Sequence, residues 1–219
     1  KKEKVTTTAD ESGRWIVTLS PSKAGGPYTM TIGDITINDI LVGDVFLCSG
    51  QSNMELPVAR VMDMFAQEVL SYENTQIRQL QIPQTFDFNT LQDDVPSTSW
   101  KPLTQENVMK FSALAYFYAK ELYAATGVPV GIVNSSWGGT PVEAWTSEEA
   151  MKDKFPQFIN AKRIYEDDGY RDRIKKLEGE DFYRWNTALD NGDPGLNGPV
   201  KWYAAELDDA DWQSVDMFA

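Results

Sequence analysis

Ser52 stands at the centre of Gly50-Gln51-Ser52-Asn53-Met54, directly after the apolar run Val45-Phe46-Leu47-Cys48, in a chain without histidine. A serine hydroxyl becomes a useful nucleophile when a neighbouring base takes its proton, and that base is most often histidine. The residues thus suggest acyl-transfer chemistry for which the 219 residues hold no histidine base. If a helix starts just after Ser52, its first amides point toward the hydroxyl and can hold an oxyanion. Ser52 or Asn53 reads equally well as a simple helix N-cap. The motif is not the Gly-x-Ser-x-Gly elbow, because Met54 stands at the second glycine position.

A second block, Gly131-Ile132-Val133-Asn134-Ser135-Ser136-Trp137-Gly138-Gly139-Thr140, continues to Glu143-Ala144-Trp145. Here too an apolar run ends in small and polar residues. Gly138-Gly139 can offer backbone N–H groups to a ligand without side-chain obstruction, as an oxyanion hole requires. Trp137 and Trp145 have flat apolar faces suited to a sugar ring or an acyl group. A glycine turn with two core tryptophans is the competing interpretation.

Other chemistries lack a signal. Asp93-Asp94, Asp167-Asp168 and Asp208-Asp209 are carboxylate pairs in polar stretches and read as solvated faces. A glycosidase needs two carboxyls across a cleft, and nothing selects such a pair. Neither a Gly-x-x-x-x-Gly-Lys-Ser/Thr loop nor a Gly-x-Gly-x-x-Gly turn occurs, so nucleotide binding is unsupported. With no histidine and one cysteine, a transition-metal site would have to use carboxylates, and neither a metal nor another cofactor is expected. The 33 acidic against 20 basic residues, a formal charge of −13, argue against nucleic-acid binding and anionic membranes. Cys48, inside its apolar run, reads as a buried, unreactive thiol that can form no intrachain disulfide.

The elements that must position these blocks follow from pattern. Ile40 to Val42 and Val45 to Cys48 read as strands bounded by Gly43-Asp44 and Ser49-Gly50. The second lacks alternation, which predicts burial on both faces of a parallel sheet. Upstream, Trp15 to Leu19 is a strand candidate, and Tyr28 to Ile32 with Ile35 to Ile40 form a hairpin about Gly33-Asp34. Downstream come a helix or helix pair over Val58 to Tyr72, a strand over Ile77 to Ile82, and a loop from Phe86 to Lys101 that Trp100 anchors. Phe111, Leu114, Ala115, Tyr118, Leu122 and Ala125 fall at helical spacing, with Gly127 as the stop and Pro129 beyond it. Val130 to Val133 is a short buried strand. The two strand-end loops then lie on one edge of a parallel sheet, where such sheets bind ligands. Ser147 reads as a helix start, Tyr165 to Leu177 as an exposed helix, and Asp190 to Pro199 as turns. No segment has the length and apolarity of a membrane span, and no apolar leader follows Lys1-Lys2-Glu3-Lys4.

Gly43 to Met54 closely resembles the nucleophile block of the sialate O-acetylesterase family, within the SGNH hydrolases. Gly131 to Trp145 resembles its second block. Phe111-Ser112-Ala113 and Ala24-Gly25-Gly26-Pro27-Tyr28 also fit, so the resemblance runs over about residues 15 to 150. It implies a flavodoxin-like three-layer α/β/α sandwich, incomplete here, that hydrolyses O-acetyl esters of sugars without a metal. It assigns Ser52 as nucleophile, with the Ser52 and Gly139 amides in the oxyanion hole. Gln51 and Asn53 shape the nucleophile loop, Gly138 and Thr140 hold the second loop, and Glu143 and Trp145 support it. Trp137 and Thr140 are candidate substrate contacts. The family's later Gln-Gly-Glu-Ser-like and Asp-x-x-His blocks are absent from these residues. The expectation is therefore an end of an N-terminal β-domain over 1–40, part of the hydrolase domain over 41–200, and the start of an inserted β-sandwich over 201–219. The rest of the polypeptide would then complete the site. The expected partner is an acetylated sugar or glycan, most simply of sialic acid. An esterase of acetylated xylan, or a carbohydrate-binding relative without catalysis, is the alternative. The expected location is periplasmic or extracellular.

Overall fold

A computed structural model describes residues 3–215. It separates into two units, the first ending at Trp145 and the second starting at Thr146.

The first unit is α/β. Strands β1 (Gly25–Ile32) and β2 (Ile35–Val42) form the expected antiparallel hairpin, with Ile32 paired to Ile35 across the Gly33-Asp34 turn. A second sheet has the order β3-β6-β4-β5, formed by β3 (Asp44–Gly50), β4 (Asn74–Gln81), β5 (Lys101–Leu103) and β6 (Val130–Ser136). The first three in that order run parallel and β5 is antiparallel. Strand β6 enters the sheet last yet lies between β3 and β4, pairing Gly50 with Ser136 and Gln81 with Asn134. Its insertion brings the end of the Ser52 strand beside the end of the glycine-block strand.

One face of this sheet carries the helices. Helix α1 (Ser52–Glu55) is a single turn, followed by a 3-10 turn at Val58–Arg60 and by α2 (Met62–Ser71). Helix α3 (Ala113–Thr126) begins where the Ser112 hydroxyl accepts from the Ala115 amide and ends at Gly127 in the left-handed region (φ 66). Such a serine cap stabilises a helix by about 1 kcal/mol. The core joins Ile77, Val130 and Ile132 of the sheet to Val58, Val69, Phe111, Tyr116 and Ala119. Each fully buried large side chain contributes roughly 1.5–3 kcal/mol. Phe65 of α2 packs on Phe117 of α3 with ring centroids 4.8 Å apart.

The buried side of α3 differs from the sequence expectation. Ala113, Ala115, Tyr116 and Ala119 are buried, whereas Leu114 and Tyr118 are about half exposed. Small alanines let the helix approach the sheet, and the larger apolar side chains were the misleading signal. Strand β3 also departs from expectation. Phe46 and Cys48 face the helices, but Val45 and Leu47 are 63% and 70% exposed. Strand β3 is an edge strand and the helices of this unit pack on one face only, so the apolar run is not covered on both sides. Burial pushes the Cys48 thiol pKa up, in keeping with an unreactive side chain. Trp100 anchors its loop against Gly131, on the face away from α3.

Trp15 to Leu19 forms no strand. A strand needs a ladder partner and this segment pairs with none; just beyond it, the Ser20 hydroxyl and amide donate to the Glu3 carboxylate at 2.7 and 3.1 Å.

The second unit is helical, with α4 (Glu148–Met151), α5 (Pro156–Tyr165), α6 (Asp168–Gly192) and α7 (Pro194–Asn197). Ser147 caps α4 as its position in the sequence suggests. Lys162 ties α4 to the end of α5 through Glu148 and Glu166, each at 3.2 Å. Helix α6 extends through Asp190 to Gly192, which the sequence reading places in a turn; Asp193 then caps α7. The described part of 201–219 is made of turns, with Trp202 edge-on to Trp212 at 5.2 Å. No helix among the described residues is long and apolar enough to cross a membrane.

Candidate active site

The site is built at the carboxyl ends of β3 and β6. Trp137 donates its amide to the Gly50 carbonyl at 2.9 Å, so the two strand ends remain zipped together up to the loops. Helix α1 follows at once and is held by the start of α3. The Ala113 amide donates to the Leu56 carbonyl at 2.8 Å, and the Val58 amide to the Phe111 carbonyl at 2.9 Å. Gln51, not Ser52 or Asn53, occupies the N-cap position, and no side-chain cap bond is made. The Ser52 hydroxyl is therefore not consumed by capping. It is exposed and makes no hydrogen bond among the described residues.

The two glycine-bearing blocks are laced together. Gln51 Nε2 donates to the Thr140 carbonyl. Thr140 Oγ1 donates to the Trp137 carbonyl at 2.6 Å and accepts from Trp145 Nε1 at 2.8 Å. That leaves the Thr140 hydroxyl one lone pair for any other contact. Asn53 is exposed and makes no side-chain hydrogen bond among the described residues. Glu143 and Trp145 lie on a 3-10 turn at Val142–Trp145.

Gly138 approaches Ser52 closely. A Cβ built on it would stand 3.5 Å from Ser52 Oγ and overlap Oε2 of Glu55. Gly139 follows with φ 78, a conformation that glycine adopts without strain. The amides of Ser52 and Gly139 carry no hydrogen bond among the described residues, whereas the Gly138 amide donates to Glu55 Oε2. The Ser52 and Gly139 amides thus remain free donors, and the Gly138 amide does not.

Beneath the loops runs a chain of buried polar groups. The Ser112 amide donates to Gln79 Oε1 at 3.0 Å, and Gln79 Nε2 reaches the Lys110 carbonyl at 3.3 Å. Asn134 Nδ2 donates to Gln81 Oε1 at 2.8 Å, and Ser136 Oγ to Asn134 Oδ1 at 2.7 Å. Gln79, Ser112, Asn134 and Ser136 are each at least 96% buried. Buried polar groups cost free energy unless bonded, so a satisfied set of this kind fixes one arrangement of the strand ends.

Three residues outside the sequence-derived set also belong here. Glu55 sits one turn after Ser52, a spacing that places the two on neighbouring positions of a helix face and was a usable signal. Gln84 donates to Glu55 Oε1 at 2.7 Å and to the Ser136 carbonyl at 3.1 Å. Phe86, 66% exposed, lies 6.3 Å from the Trp137 ring and 5.5 Å from Phe88. Gln84 and Phe86 come from a loop without periodicity, and nothing local marks them.

A strand-end serine beside a glycine loop on a parallel sheet defines an α/β protein whose candidate site lies at the strand ends. The sequence profile of the carbohydrate esterase, sialic acid-specific acetylesterase family matches residues 42–177. Over 164 residues the chain is 34% identical to the sialate O-acetylesterases of Rattus norvegicus and Homo sapiens, covering 68% of this chain and 30% and 31% of theirs. It resembles the crystal structure of a carbohydrate acetylesterase from Xanthomonas citri with a TM-score of 0.62 and 43% identity, covering 67% of this chain and 34% of that one. The chain belongs to the sialic acid-specific acetylesterase family of carbohydrate esterases. It spans about a third of the length of these relatives.

Proposed function

We propose that the protein hydrolyses O-acetyl esters of sugars, most directly of sialic acid, with Ser52 as nucleophile. The observation that carries this is the approach of Gly138 to Ser52 Oγ, with unspent amides on Ser52 itself and on Gly139, the next residue of the loop. Ser52 Oγ attacks the acetyl carbonyl carbon while a base takes its proton. The Ser52 and Gly139 amides hold the oxygen that becomes negative. Collapse breaks the ester bond, the base returns the proton to the leaving sugar oxygen, and water then releases acetate from the serine. The base we assign to a histidine, held by an aspartate, from parts of the polypeptide outside these 219 residues, which contain no histidine. The fragment by itself should then be inactive.

The relatives from Rattus norvegicus and Homo sapiens, both sialate O-acetylesterases, favour sialic acid as the acetylated sugar. The Xanthomonas citri structure, at higher identity, is of a carbohydrate acetylesterase, and this broader class keeps a second reading, another acetylated glycan such as xylan. Acetate release by the full-length protein from O-acetylated sialosides and from acetylated xylan separates the two. Sugar binding by calorimetry with no acetate release from either would instead establish a non-catalytic carbohydrate-binding relative.

The exposed Phe86 ring packs near the half-buried Trp137, which directly precedes Gly138, and offers a surface suited to the apolar face of a sugar ring. Phe86→Ala is expected to raise KM for acetylated glycans by roughly 3- to 10-fold, the worth of about one aromatic contact. It should leave KM for 4-nitrophenyl acetate unchanged, because that ester carries no sugar. Equal changes on both substrates would exclude Phe86 from sugar recognition.

A further inference from the structure

We propose that Glu55 is a positioning residue of this site: its carboxylate fastens the Gly138 amide and so directs the neighbouring Gly139 amide to the acyl oxygen. The proposal rests on Ser52 being the nucleophile.

Both carboxylate oxygens of Glu55 are engaged. Oε2 accepts from the Gly138 amide, and Oε1 accepts from Gln84 Nε2 at 2.7 Å. Gln84 Nε2 also donates to the Ser136 carbonyl at 3.1 Å. One half-buried side chain therefore joins the nucleophile helix, the loop after β4 and the end of β6. Gly138 admits the carboxylate because it lacks a Cβ, which would overlap Oε2.

An unneutralised carboxylate near a forming oxyanion would oppose the reaction. Here each oxygen already accepts a hydrogen bond, and Oε2 is spent on an amide that is then unavailable to substrate. Hydrogen bonds to an ionised acceptor are roughly twice as strong as neutral ones, so the Gly138 peptide plane is held firmly. Peptide planes are rigid, so a fixed Gly138 amide restricts where the Gly139 amide can point; only the dihedrals at Gly138 separate them. The flexibility of two consecutive glycines makes such a clamp necessary, since displacement of a reacting or stabilising group by about 1 Å costs on the order of 10²-fold in rate. The buried Asn134–Ser136 pair holds the strand end from below, and Glu55 holds the loop from the side of the serine.

The test uses the full-length protein with 4-nitrophenyl acetate, active serines counted by phosphonate titration carried to completion, and thermal midpoints. Per titrated serine, Glu55→Ala is expected to lower kcat by about 10²-fold with KM within about twofold of the parent. Glu55→Gln keeps an acceptor for the Gly138 amide and is expected to recover kcat to within about 10-fold of the parent. Gln84→Ala, in an exposed loop, should lower kcat in the same direction by less. A merely structural role would lower the midpoint and the number of titratable serines while leaving kcat per serine intact, and that result overturns the proposal. If Glu55→Ala does not fold, parental kcat per serine in Gln84→Ala overturns it equally. Failure of the Ser52 assignment looks different: the parent protein would not be labelled at Ser52, whatever stands at position 55.

Discussion

Ser52→Ala in the full-length protein is expected to lower turnover of acetyl esters by roughly 10⁴-fold or more, about 5 kcal/mol of transition-state stabilisation. The loss is large because, in the proposed mechanism, the substitution removes the atom that forms the covalent intermediate. Ser136 and Ser112 are buried and engaged in the network below. The fold should not notice the change. Ser52 Oγ makes no hydrogen bond among the described residues, the side chain is exposed, and alanine is a better helix former than serine. Thermal or denaturant unfolding should therefore shift by no more than about 0.5 kcal/mol. Acetate release measured with matched folded protein checks both halves. Retained turnover would remove Ser52 from the chemistry altogether.

Gly138→Ala should be the second most damaging change, and for a different reason. The new Cβ would overlap Glu55 Oε2 and stand 3.6 Å from Glu55 Cδ, so either the carboxylate or the loop must move. Movement of the loop displaces Gly139, and kcat is expected to fall by about 10²-fold. Relief of the overlap should cost roughly 1–3 kcal/mol of stability. Gly139→Ala is the informative partner. Its Cβ would meet nothing within 4 Å, and the only penalty is a side chain at φ 78. That penalty is about 1 kcal/mol, with a smaller loss of turnover. Steady-state kinetics and unfolding on the two variants distinguish crowding at 138 from backbone preference at 139. A Gly138→Ala enzyme with parental kcat would contradict the close approach on which the site is built.

Much of the scaffold was legible because its signals are local. The Ser112 cap and the Gly127 stop bound α3 within a few residues of the apolar spacing that announced it. The hairpin about Gly33-Asp34 was equally plain. The apolar runs before Ser52 and before Gly138 did become parallel strands with adjacent ends. The misreadings are of another kind. Trp15 to Leu19 has strand-like residues but no partner to complete a ladder. Leu114 and Tyr118 match the helical period yet stay about half exposed, Tyr118 reaching only the edge strand through Phe46, while Ala115 and Ala119 make the buried approach. Val45 and Leu47 belong to an unbroken apolar run, but their strand is an edge and one face lacks helices.

The sequence by itself determined the hairpin about Gly33-Asp34, the cap and stop of α3 and the apolar strands before Ser52 and Gly138, that a serine would sit at a strand end, and that no histidine among these residues could serve it. Those properties depend on residue types and short spacings, which turn chemistry and helix capping read directly. Only the tertiary structure decided that β6 inserts between β3 and β4, and that Glu55 meets the Gly138 amide across 83 residues of chain and Gln84 across 29. Strand order and side-chain partnership follow from which distant segments bury surface and satisfy hydrogen bonds together. Such pairings leave no periodic trace along the chain. Ser52 could be picked out as a residue; what surrounds it became visible only once the sheet had closed the distance.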